Sequence, residues 1–173
     1  VCSTNDYRES AFKLDDPNGK LVMAFTDGSK TWELGALTLS SVTSPGSHFI
    51  FTAFNKNGAV GEKGTYLITL ASRNRYEHVE YLEYTKREPL PAGDNHGAKG
   101  MAKSLSRDNV EYVECLGATV SLILKETSAT ATAYAINKLG LKAADLPVEK
   151  KGNALTLRPA RKYGTVVYVL EVK

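Results

Sequence analysis

The chain has 173 residues, 42% of them hydrophobic and 24% charged, with a formal net charge of +3. That balance excludes the low-hydrophobicity, high-charge regime of disordered chains, and the length points to a single domain spanning residues 1–173 around one core. The longest apolar run, "GATVSLILK", is interrupted by Thr119 and Ser121 and falls well short of the roughly 18 residues a membrane helix needs, so no membrane span is expected.

The chain opens on Val1 and Cys2 rather than a methionine, which suits a mature secreted chain and raises the expectation of an extracellular protein. Its two cysteines are Cys2 and Cys115. In an oxidising compartment they are expected to form a disulfide, which in the chain-entropy model would stabilise the fold by roughly 4–5 kcal/mol. The alternative is that Cys115, within "VECLGATV", is a buried thiol. No C-x-x-C pair or His-rich spacing is present to recruit zinc, and none of the nine asparagines lies in an N-x-S/T sequon.

From there the punctuation is that of β-structure. "DDPNGK", "TDGSK" and "NKNGAVGEKG" carry Asn-Gly or Asp-Gly pairs, whose tolerance of positive φ closes tight hairpins. Between them lie short runs rich in β-branched and aromatic residues. Strands are expected over 20–25, 31–39, 48–54, 65–72, 76–85, 110–116, 119–125, 154–158 and 165–172. About nine strands at this spacing imply an all-β, two-sheet antiparallel sandwich. No internal repeat of the kind a β-trefoil would need is visible.

Within 31–39, Trp32 alternates with Leu34 and reads as a core residue. Exposed, it could instead stack on a sugar and make the chain a carbohydrate-binding module.

The stretch "RNRYEHVEYLEYTKRE" (73–88) concentrates titratable groups. His78 and Glu80 stand two apart and so share a face of a strand, where they could act as an acid–base pair. "YEH" at Tyr76–His78 and "YVEC" at Tyr112–Cys115 resemble short segments of T1-type ribonucleases. The resemblance covers only those residues, and the late second histidine of such enzymes has no counterpart after His96. Both faces of 76–84 carry charge, which fits a decorated outer strand better than a catalytic one. No catalytic residue is therefore assigned.

The longest stretch without a period, 86–109, has two prolines and three glycines. A loop of about twenty residues is usually functional, so Asp94, Asn95, His96, Lys99 and Arg107 are the candidate binding residues. One carboxylate and one imidazole there fall short of a metal site, and neither metal nor cofactor is implied. G-x-S-x-G and P-loop motifs are absent.

Helix competes with strand in only one place, "SATATAYAINKLGLKAADLP". There the alternation up to Ile136 predicts a strand, followed by at most one short helix over 137–146 that Pro147 would stop. From Lys138 onward eight basic residues face three acidic ones, a balance of +5 within the total of +3. That third would suit an anionic partner, although one tyrosine among the lysines makes a nucleic-acid platform the weaker option. Taken together, the expectation is a secreted, non-enzymatic binding protein that contacts a protein or glycan through its long loop. The alternatives are a small hydrolase built on His78 and Glu80, and a carbohydrate-binding module.

Overall fold

A computed structural model of the chain describes residues 11–26, 28–43, 48–76, 79–80, 103–104 and 111–173. The chain divides into two compact units, Val1–Arg73 with Val113–Lys173, and Asn74–Tyr112. In the second, β7 (Val79–Glu80) and β8 (Lys103–Ser104) pair antiparallel as a two-stranded sheet.

The first unit is a sandwich of two antiparallel sheets. The larger is built from β1 (Ala11–Asp15), β2 (Gly19–Phe25), β5 (His48–Asn55), β6 (Gly64–Tyr76), β15 (Val167–Val172), β11 (Ala131–Ile136) and β12 (Lys142–Leu146), adjacent in that order; β9 (Glu111–Cys115) also pairs with β6. The smaller runs β13 (Val148–Lys151), β14 (Ala154–Leu157), β10 (Gly117–Ile123), β4 (Leu37–Thr43), β3 (Trp32–Leu34). A strand's side chains alternate between faces, and here the inward set is continuous. Val22, Phe51, Ile68 and Leu170 of the larger sheet meet Leu34, Leu39, Val120, Leu122 and Leu155 of the smaller in one buried cluster. Trp32 is 3% exposed and meets Phe49 edge-on at 4.9 Å between ring centroids. It is a core residue, and its burial removes the sugar platform that an exposed tryptophan would have supplied.

Several segments depart from the expected elements, among them β13, which was not expected, and β8, which lies within the expected 86–109 loop. The 31–39 run is two strands, because Gly35 at φ 59 turns the chain between Leu34 and Leu37. Ala11–Asp15, which has few β-branched residues, forms β1 by pairing along β2 with Asp15 opposite Lys20. Over 137–146 the chain forms a turn and then β12 in place of a helix. The Asn137 side chain takes up the amides of Leu139 and Leu141, and Gly140 sits at φ 77, which a helix cannot accommodate. Pro147 then separates β12 in one sheet from β13 in the other, at a point where a missing N–H costs neither ladder a bond.

Candidate interaction surface

The registers define what each sheet shows to solvent. On the smaller sheet, Glu33, Thr38, Ser121, Thr156 and Glu149 lie side by side across all five strands. It is a hydroxyl-and-carboxylate surface of the kind water solvates well.

The larger sheet is the reverse. Phe12, Met23, Ile50 and Ala71 form one row across β1, β2, β5 and β6. Leu14, Leu21, Thr52, Thr69 and Val167 form the next. Phe54, Leu67, Val169 and Tyr134 form a third, with Gly19 opposite Phe54 in place of a β2 side chain. No lysine, arginine, aspartate or glutamate stands in these rows until Asp145 beyond Tyr134. Phe12, Leu14, Met23, Ile50, Phe54 and Leu67 are all exposed. Four strands about 4.8 Å apart and three rows about 6.8 Å apart span roughly 400 Å² in plan, the size at which an apolar patch on a monomer commonly marks an interaction site. The alternation in sequence is evenly apolar on β2 and β5, and only burial tells which half faces the core.

Four of the eight basic residues of the C-terminal third are engaged within the fold. Lys142 pairs with Asp145 at 2.5 Å, Lys173 with Glu171 at 3.5 Å, and Arg158 with Glu149. Lys150 donates to the carbonyls of Thr127 and Ala129 at 2.7 and 2.5 Å. A cleft of about 280 Å³ opens beside Gly61 and Leu124. Its four charges neutralise one another, Lys125 with Glu62 at 2.5 Å and Lys63 with Glu126 at 2.8 Å. The hydrogen bond from Lys125, then that from the Ala59 amide, hold the Glu62 carboxyl below its ordinary range.

The sequence-derived candidates fall elsewhere. Asp94, Asn95, His96, Lys99 and Arg107 lie outside the described residues, as do His78 and Cys2. Glu80 belongs to β7. Cys115 is a free, partly buried thiol whose pKa burial pushes up, against a smaller lowering by Arg161. His48 opens β5 with its ring 6.0 Å from that of Phe25. Among the described residues no group of three or more His, Cys, Asp or Glu could hold a metal ion. No family model, no curated protein and no solved structure matches the chain.

Proposed function

We propose that this chain is a non-enzymatic binding module, working outside the cell, that docks a protein partner on the outer face of its larger sheet. The observation that carries this reading is the uncharged, aromatic-rich field formed by Phe12, Met23, Ile50, Phe54 and Leu67. The rows across β1, β2, β5 and β6 carry no charge, which suits an equally apolar protein surface, because a charged partner would give up hydration there with nothing to pair against. The field's plan area of roughly 400 Å² is about half the roughly 800 Å² per partner of a standard interface, the scale of a small, transient contact. The smaller sheet, whose Glu33–Thr38–Ser121–Thr156–Glu149 row is hydroxyl and carboxylate, serves as the solvated back of the module.

The test places a photo-reactive cross-linker at Phe54, and separately at Thr156 on the smaller sheet, in the full-length chain exposed to its native extracellular milieu. A protein cross-linked from Phe54 alone is then purified and titrated against wild type and Ile50→Glu/Leu67→Glu. Burying a carboxylate in the centre of the contact should weaken binding by more than tenfold. Equal binding by the variant, an adduct formed equally from Thr156, or an adduct only of the chain with itself would overturn the reading.

A further inference from the structure

At the end of the larger sheet where β11 turns into β12, the sequence is "NKLGLK". Leu139 is 73% exposed and Leu141 is 60% exposed. A turn normally presents polar residues, and nothing in the fold requires two leucines here. The turn is also closed on itself. Asn137 Oδ1 accepts from the amides of Leu139 and Leu141 at 2.9 and 3.0 Å, and the Gly140 amide donates to the Asn137 carbonyl at 2.9 Å. The Asn137 amide donates to the Leu141 carbonyl at 2.9 Å. Four of the five backbone amides of the 137–141 tip therefore have partners within the turn, which lowers the cost of leaving water.

Cations lie on the tip and at the same end of the sandwich. Lys138 and Lys142 flank it in sequence, and both are exposed. Thr165 Oγ1 donates to the Ile136 carbonyl at 2.6 Å, which brings the 3-10 turn Arg161–Tyr163 to the same end of the sandwich. Arg161 and Lys162 are exposed there, and Lys162 stands 5.1 Å from the Tyr163 ring centroid. Among the described residues of these two turns and the start of β12, the acidic group is Asp145, engaged by Lys142.

From this arrangement we infer that the 137–141 turn is a membrane-docking tip: Leu139 and Leu141 enter the headgroup–acyl boundary of an anionic phospholipid bilayer while Lys138, Arg161 and Lys162 face its phosphates. Apolar side chains at the boundary with a cationic collar behind them are the two contributions that bind a peripheral protein reversibly to an acidic surface. The site is separate from the apolar sheet face and stands independently of it.

The experiment uses the full chain with vesicles of phosphatidylcholine alone or with about a third phosphatidylglycerol. Binding is expected only to the anionic vesicles and should weaken with added salt. Leu139→Ser/Leu141→Ser should reduce partitioning roughly tenfold or more per leucine, and Lys138→Gln or Lys162→Gln about fivefold each. All these positions are exposed, and unchanged thermal melting confirms folding of each variant. Insertion is read separately in Leu139→Trp, whose fluorescence should be quenched by brominated acyl chains, with Thr156→Trp as the unquenched control. The inference is overturned by equal binding to neutral vesicles, by serine variants that bind like wild type, by an unquenched Leu139→Trp, or by polyuridylate binding through the same lysines without vesicle binding.

Discussion

At the residue scale, Asn55 shows how one buried amide organises a long turn. It is 1% exposed. Its Nδ2 donates to the Ala59 carbonyl at 2.9 Å, and its Oδ1 accepts from the Asn57 amide at 3.1 Å. Gly64 lies so close that a Cβ there would stand 2.1 Å from Asn55 Oδ1. Asn55→Ala should cost about 2–4 kcal/mol in urea denaturation, since it orphans buried partners. Gly64→Ala should cost a similar amount through the clash. The double variant should lose less than the sum, because the first substitution removes the atom the second one strikes. "NKNGAVGEKG" reads in sequence as a loop, but which of its two asparagines turns inward depends on β5 ending with Asn55 on the core side.

At the scale of elements, β4 contains an irregularity that its sequence does not announce. Gly117 pairs with Thr43 and Thr119 with Ser40, so Ser41 and Val42 together oppose Ala118. Ser41 takes φ 52 to make this bulge, a conformation that favours glycine at the first bulged position. Ser41→Gly should leave the fold intact and be neutral to stabilising by up to about 1 kcal/mol, whereas Ser41→Val should destabilise by more than that in the same denaturation assay. The bulge keeps Val42 buried after the register slips, which would otherwise turn the end of β4 inside out. The 137–146 segment is a second case at this scale. Its alanines and leucines carry no local preference strong enough to oppose the Asn137 turn and the pairing of β12 with β11.

For the whole molecule, pH offers a direct reading of the core. Burial, followed by smaller contributions from neighbours, pushes the Tyr168 hydroxyl from 10.0 up to about 12. Burial likewise pushes up Tyr66. A tyrosine whose folded pKa is raised holds its proton in the native state after the unfolded chain has lost it. Its contribution is therefore complete below about pH 10 and is lost as pH rises towards 12. Denaturation midpoints should start to fall near pH 9, where the raised Cys115 thiol begins to matter, and fall further across that window, with tyrosinate absorbance delayed in the folded protein. Tyr168→Phe should flatten the fall, leaving the parts due to Tyr66 and Cys115; an unchanged slope would show that Tyr168 ionises as it does in the unfolded chain.

The sequence by itself determined the class of object. Alternating β-branched and aromatic residues broken by Asn-Gly and Asp-Gly pairs admit little but short antiparallel strands, and their number and spacing led to two packed sheets with Trp32 inside. Those signals are local, set by backbone sterics and side-chain alternation over a few residues. Which face of the larger sheet is left bare was decided only by the tertiary structure, because β2 and β5 are apolar on both sides and only packing against the smaller sheet separates Phe51 from Ile50. The same holds for the cationic leucine tip, whose two turns lie some twenty residues apart and meet through the pairing of β11 with β15. Exposure and adjacency are properties of the assembled layers.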